Sequence, residues 1–342
     1  MMPTDQVLAP VRVQLQIAQN FMYPAGQPAI DQAKLGWALT LVAALVVIII
    51  SGLVLAAVFR NRNGSTPDNH RTVDDARDGS SQSPRAKAAG MSAIYVGLGI
   101  TAVILVGTLA STIAVLARTN RSTGAAAVTI HVIAHQWWWE ARYDDGIPSH
   151  SFVTANELHI PVGKVVRLTL ESPDVIHSFW IPELAGKTDA IPGQKNVAWF
   201  QATRTGEFHG QCAEYCGLQH AHMASVVIAD SESTYDQWAV AQAHSAAPPI
   251  DSVSRLGAQV FVRSCGACHA VRGTNALGVL GPDLTHLATR QSIGAGVLHN
   301  TPENLRAWVR NAQALKPGVQ MPTMDLPPQE LTAVVRYLAS LR

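Results

Sequence analysis

Charged side chains are scarce in this chain of 342 residues: Asp, Glu, Lys and Arg together make up 14%, and aromatic residues 6%. The formal balance is +1 at neutral pH, which leaves no bulk positive charge to attract nucleic acid. No internal repeat is present, so a solenoid or propeller is not expected. Cysteine is limited to four residues. In an oxidising compartment their ordinary use would be two disulfides, and that alternative has to be weighed at each pair.

Apolar residues make up 48% of the chain, and they are concentrated. Residues 37–59 and 93–117 contain no Asp, Glu, Lys, Arg or His. Each run is long enough to cross about 30 Å of hydrocarbon as a helix. A buried core helix would keep a polar face, and neither run has one. The first begins too deep and runs too long for a cleavable signal peptide. Arg60, Arg62, Arg71, Arg77, Arg85 and Lys87 lie between the runs, whereas the outer flanks carry fewer basic residues, with Lys34 just before the first run and Arg118 and Arg121 just after the second. That bias puts the connector in the cytoplasm and both termini outside. The expected plan is an extracytoplasmic tail at 1–36, then a transmembrane hairpin at 37–118 with a cytoplasmic loop at 60–92. Everything later is extracytoplasmic, on a bacterial inner membrane.

Residues 119–232 read as short strands and turns. Glu157-Leu-His-Ile-Pro-Val-Gly163 and Val165-Val-Arg-Leu-Thr-Leu170 alternate apolar and polar residues around a turn at Gly163 and Lys164, and Ala224-Ser-Val-Val-Ile-Ala229 is another strand. Strands without intervening helices predict a β-sandwich or Greek-key barrel. Residues 233–252, Ala- and Pro-rich around Pro248-Pro249, predict a linker. From 253 to 342 the period is helical. Thr301-Pro302-Glu303 supplies an N-cap, a first-turn proline and a first-turn acid. Leu331, Val334, Val335, Leu338 and Leu341 form an amphipathic terminal helix. An all-α domain this small needs a staple.

Cys265-Gly-Ala-Cys268-His269 supplies one: it is the haem c attachment motif, in which two thiols take the vinyl groups and His269 becomes the proximal ligand. A methionine usually completes such an iron. The segment around Met321, Lys316-Pro-Gly-Val-Gln-Met321-Pro322, resembles the distal loop of small bacterial cytochromes c, with Met324 as competitor. Gly281-Pro282-Asp-Leu284 resembles the segment whose proline carbonyl accepts a hydrogen bond from the proximal ring, which would fix its orientation. This resemblance covers residues 254–342.

The other pair stands in Cys212-Ala-Glu-Tyr-Cys216-Gly-Leu-Gln-His220-Ala-His-Met223. Soft sulfur plus imidazole suits copper, and a second thiolate suggests two bridged metals rather than one. A disulfide would explain neither His220 nor Met223. Together with Ser172-Pro-Asp174-Val-Ile-His177, this stretch resembles the CuA centre of cytochrome c oxidase subunit II, here followed by a cytochrome c domain as in caa3-type oxidases. The resemblance implies a cupredoxin-like copper domain. It implies bridging by Cys212 and Cys216, ligation by His177 and His220, and weak axial donation by Met223 and the Glu214 carbonyl. His222 falls outside the pattern and is expected at the surface.

Lys187-Thr-Asp189-Ala-Ile-Pro-Gly193 resembles the loop facing the catalytic subunit, and the Glu214 carboxylate takes the place that reaches a magnesium ion there. His135-Gln136-Trp137-Trp138-Trp139-Glu140 resembles the aromatic stretch that receives electrons, with Trp137 at the input position and Trp138 and Trp139 in packing roles. Ala134 and Trp138 replace the usual Gly and Tyr. The segment Arg85-Ala-Lys-Ala-Ala-Gly-Met-Ser92 lacks the glutamate that many such oxidases place before the second span. The implied function is proton-translocating cytochrome c oxidation with oxygen reduced in subunit I. The implied partners are subunits I and III, cytochrome c and membrane lipid. A CuA-bearing nitric oxide reductase subunit and a tethered electron carrier are the rival readings; nitrous oxide reductase and quinol oxidase subunits fit less well.

Charge is distributed unevenly between the modules. Residues 119–232 hold seven Lys/Arg against twelve Asp/Glu, and residues 253–342 hold nine against four. The expectation is that the basic cytochrome module docks on the acidic copper module near Trp137, tethered by a flexible linker and weakened by salt.

Overall fold

The computed structural model describes residues 19–62, 84–120, 122, 124–144 and 151–342. The first 18 residues of the expected tail, and residues 63–83 of the expected cytoplasmic loop, lie outside the described residues. The chain divides into two compact units, residues 31–119 and the remainder.

The first unit consists of two long helices, α1 (Gln27–Arg62) and α2 (Pro84–Thr119). Their apolar stretches, Gln27–Phe59 and Gly90–Thr119, are long enough to cross a membrane. Helix α1 therefore begins inside the stretch read as tail. Leu41 and Val103 are 69% and 74% exposed, so the chain itself covers neither, and hydrocarbon is the solvent that suits them. Several hydroxyls are satisfied locally. Thr40, Thr101, Ser111 and Thr112 each donate to the carbonyl four residues earlier. That matters where water is absent.

The second unit holds two cores. In the copper domain a five-stranded sheet runs β3 (Phe152–Ala155), β2 (Trp138–Tyr143), β1 (Val128–His135), β5 (Val166–Glu171), β8 (Asn196–Phe200). A three-stranded sheet runs β4 (Glu157–Pro161), β10 (Ala224–Asp230), β9 (Gly206–Gln211). Strands β1 and β5 pair in parallel, as do β10 and β4, while the other pairs of these sheets are antiparallel. Ile130, Val132, Leu168 and Leu170 of one sheet and Leu158, Ile160, Phe208 and Val227 of the other fill one core. A small hairpin, β6 (His177–Phe179) with β7 (Thr188–Ala190), lies beside it. The N-terminal segment is stitched on: Ala25 N and Gly26 N donate to Glu183 O (2.7 and 2.9 Å), and Thr203 N donates to Ala25 O (2.7 Å). Gly26 has no room for a side chain, since a Cβ there would lie 2.2 Å from Leu184 O.

The stretch read as linker is largely a helix, α3 (Glu232–Ala243), capped by Ser231. Trp238 stacks on His159 (4.2 Å) and meets Tyr143 and Phe152 edge-on. The segment beyond is strapped to the cytochrome module. Arg272 donates to the carbonyls of Gln242, Ala243 and His244, and His286 Nε2 donates to His244 O. A composition rich in Ala and Pro concealed this, because the contacts come from residues far away in sequence.

The cytochrome module contains α4 (Ser252–Ser264), the two-residue strands β11 (Ser292–Ile293) and β12 (Leu298–His299), α5 (Pro302–Arg310), α6 (Ala312–Leu315) and α7 (Pro328–Leu338). Thr301 caps α5 through Asn304 N, as its sequence predicts. Helices α4 and α7 cross at Gly257, where a Cβ would lie 2.0 Å from Ala333 O. Overpacking a crossing costs roughly 1–3 kcal/mol or more. The Gly257→Ala variant is therefore expected to lower the denaturant midpoint of the cytochrome module, followed by its visible absorption, and to leave far-ultraviolet signals of the sandwich in place.

Candidate functional site

The paired strands β9 and β10 place Gln211 opposite Ala224, so residues 212–223 form the loop that closes this hairpin. Cys212 N donates to Met223 O and Ala213 N to Ser178 O, each at 2.9 Å. These bonds pin the loop to its own far end and to β6. Inside it, Cys212 Sγ and Cys216 Sγ lie 3.7 Å apart, and both thiols are free. A disulfide needs about 2.05 Å. Cys216 Sγ is 3.6 Å from His220 Nδ1 and 3.9 Å from Met223 Sδ. Cys212 Sγ is 3.9 Å from His177 Nδ1 and 3.2 Å from Glu214 O. Two thiols, two imidazoles, a thioether and a carbonyl thus converge, with Cys212, Cys216, Met223 and His177 all buried. This donor set suits copper.

His177 is oriented from behind. Its Nε2 lies 2.8 Å from Asp174 Oδ1, and Asp174 also accepts from Gln136 N (2.7 Å) and Val175 N (2.6 Å). Burial alone would raise the Asp174 pKa, but the bonds from His177, Val175 and Gln136 outweigh it and bring it to about 2. Burial opposes charge on His177, while Asp174 more than offsets this and raises the imidazole. The ring is left with Nδ1 facing the sulfurs. The neighbouring Cys216 sulfur, together with His177, favours a thiolate at Cys212, and the Cys216 thiol is pushed up in turn.

The aromatic stretch divides by position. Trp137 Nε1 and Gln136 Nε2 both donate to Cys216 O, at 3.0 and 2.7 Å. Trp138 stacks on His135 at 4.4 Å. Trp139 is fully buried, with its edge to His177 and Phe179. His222 is exposed beside Gln219. The Glu214 carboxylate meets Lys187 Nζ at 3.3 Å, and the same ammonium lies 3.6 Å from Asp189.

In the cytochrome module a cavity of about 260 Å³ is lined by Cys265, Cys268, His269, Pro282, Met321 and Met324 among others. His269 Nδ1 donates to Pro282 O at 2.8 Å, which leaves Nε2 as the uncommitted ring nitrogen. Gly281 makes room for that ring, because a Cβ there would lie 2.6 Å from His269 Cε1. Arg290 lines the cavity, buried, with its Nε unpartnered among the described residues. A buried cation with a spare donor calls for an anion, and a haem carboxylate fits. Free thiols, a braced imidazole, a nearby thioether and this arginine together match a haem.

The same cavity is also lined by Trp137 and Trp138 of the copper domain. Lys316 Nζ donates to Trp137 O and Gly294 O, each at 2.8 Å. Gln219 Nε2 donates to Pro317 O, Ala224 N to Ala295 O, Gln291 N to Glu157 and Gln291 Nε2 to Glu207. Among the described residues no ion pair joins the two modules. The modules meet near Trp137, and the contacts there are hydrogen bonds. Burial pushes the Lys316 ammonium down to about 7, with Cys216 opposing. No role for Asp174, Gln136, Arg290 or Lys316 follows from the sequence motifs alone. The spacing of Asp174 and His177 was a usable signal for the first, whereas the others depend on distant segments.

Residues 148–230 match the family model described as cytochrome c oxidase subunit II, periplasmic domain, and residues 254–342 match the cytochrome c model. A cytochrome c oxidase subunit 2 of Alkalihalophilus pseudofirmus is 40% identical over 221 residues, covering 64% of this chain and 63% of that protein. One from a Bacillus species (strain PS3) is 33% identical over 240 residues, covering 67% and 66%. The aligned stretches thus take in just under two thirds of these relatives. The solved periplasmic domain of an oxidase subunit II from Bradyrhizobium japonicum is 33% identical, covers 35% of this chain and 96% of that one, and has a TM-score of 0.33.

Loss of a carboxylate behind a metal-binding imidazole typically costs ten- to a hundredfold in affinity. Asp174→Asn should weaken copper retention by about that factor in a chelator competition, with the haem absorption unchanged.

Proposed function

Because the chain joins a domain of the cytochrome c oxidase subunit II family to a domain of the cytochrome c family, we propose that it is the electron-receiving subunit of a membrane-bound, caa3-type haem–copper oxidase. One observation carries this: donors gathered round two unbonded sulfurs 3.7 Å apart, with Trp137 bonded to the carbonyl of one of those cysteines and also lining the haem cavity. When bound, the paired coppers and the haem supply one-electron carriers, passing charge from cytochrome c towards haem a in subunit I.

The chain's own residues hold and orient these groups. Cys212 and Cys216 would supply the thiolates that hold the coppers. His177 and His220 would offer Nδ1 to them, and Met223 and the Glu214 carbonyl would be the weaker donors. Cys265 and Cys268 would hold the haem through their sulfurs, and His269 Nε2 and the Met321 thioether would be the donors to its iron. Asp174 fixes the ring of His177 and Pro282 that of His269. Trp137 is the input residue for copper. A magnesium ion at Glu214, at the interface with subunit I, would have to displace Lys187. The closed donor set offers no open position for a gas. Neither apolar run carries Asp, Glu, Lys, Arg or His, so oxygen reduction and proton translocation fall to subunit I, with subunit III and lipid as further neighbours. The helices anchor the chain in a bacterial inner membrane with both modules outside.

The purified chain should contain one haem and two coppers. Met223→Leu or His220→Ala is expected to reshape or abolish the copper electron-paramagnetic signal and to leave the haem spectrum intact. Loss of both signals together would defeat the two-module reading, and reduction of nitric oxide rather than oxygen by the purified complex would favour the reductase.

A further inference from the structure

The contact between the modules contains a buried cation that the electron route described above does not use. Lys316 is 1% exposed. Burying an ammonium is costly unless its donors are satisfied, and here two are, by Trp137 O in the copper domain and Gly294 O in its own. The loop it begins also carries Met321. Gln313 braces that loop by donating to Val319 O and Met321 O and by accepting from Gly318 N. Gly318, at φ +88°, brings the loop down on Leu218 and the Trp137 ring, where a Cβ would lie 2.9 and 3.8 Å away. Trp137 is left only 8% exposed.

We propose that Lys316 is a positioning residue: it clasps the Met321 loop to the backbone of Trp137 and so holds the haem cavity against the tryptophan bonded to the copper loop. Its function in electron transfer rests on the reading above, but the clasp itself does not. Two consequences follow from the chemistry. A solvated donor cannot reach Trp137 in the clasped state, so electrons enter through the haem module. The clasp also resists salt, because its bonds run from a buried ammonium to carbonyls and exposed ion pairs, which salt screens, take no part. Removing the ammonium leaves the buried Trp137 carbonyl and the part-buried Gly294 carbonyl without this donor, which destabilises the closed arrangement specifically.

Two amides report on closure directly, because Ala224 N donates to Ala295 O and Gln291 N to Glu157 across the contact. Hydrogen exchange at these amides is measured in the full chain from roughly 0.01 to 1 M ionic strength, a range over which the Debye length falls from about 30 to 3 Å. In the wild type both should stay slow throughout. In Lys316→Met both should exchange at least about tenfold faster, with the Cys212 amide unchanged. Haem-to-copper transfer after flash reduction should slow, with both optical signatures intact. Wild-type exchange that accelerates with salt, or Lys316→Met amides as slow as wild type, would overturn the clasp. The salt series needs no variant to fold. Absence of haem or copper would instead sink the proposed function, while the amide measurements would still decide the clasp.

Discussion

Two sulfur atoms held 3.7 Å apart without a bond between them set the requirements for the rest of the copper domain. Thiols so close would be expected to oxidise in a compartment that favours disulfides, so the protein has to fix them by other means. It does so with the backbone. The loop that carries them closes a hairpin, is tied across its neck by Cys212 N to Met223 O, and is anchored to β6 through Ser178 O. The sandwich beneath supplies the rigidity, since both flanking strands are built into a buried sheet.

From that spacing the neighbours follow outward. His177 arrives from β6, which must lie against the loop for its Nδ1 to face Cys212. Its other nitrogen is then committed to Asp174, which is itself held by the amide of Gln136 at the start of the aromatic turn. The next residue, Trp137, bonds the carbonyl of Cys216. One connected set of hydrogen bonds therefore links the sulfur and imidazole cluster to the residue that meets the second module. Displacing any member disturbs the orientation of the others, because buried polar groups have no water to fall back on.

The cytochrome module follows the same rule with different parts. Its His269 ring is braced by a carbonyl instead of a carboxylate, and close approach is achieved by glycine: Gly281 under the His269 ring, Gly257 at the α4–α7 crossing, Gly318 against Trp137. The modules meet near Trp137, as expected. Net charges of opposite sign exert long-range attraction, and the contact that forms is made of amide and ammonium donors on carbonyl and carboxylate oxygens. The stretch read as a flexible tether is a helix packed through Trp238 and then strapped by Arg272.

Features contained within one short stretch of chain are legible from residue order. The loop from Cys212 to Met223, the Cys265–His269 motif, the capped helices and the two uncharged runs could all be read, because chain connectivity alone keeps their residues together. His177, 35 residues from Cys212, was placed there only by resemblance. Tertiary structure alone decided that Lys316 and Arg290 are buried, that Asp174 and Gln136 serve the copper loop, that Ala25 and Gly26 are sewn to Glu183, and that the linker is ordered. Residue type fixes what a side chain is able to donate, accept or ligate. What it faces is set by segments remote in sequence, and burial, which turns an ordinary lysine into a clasp, belongs to the packed molecule.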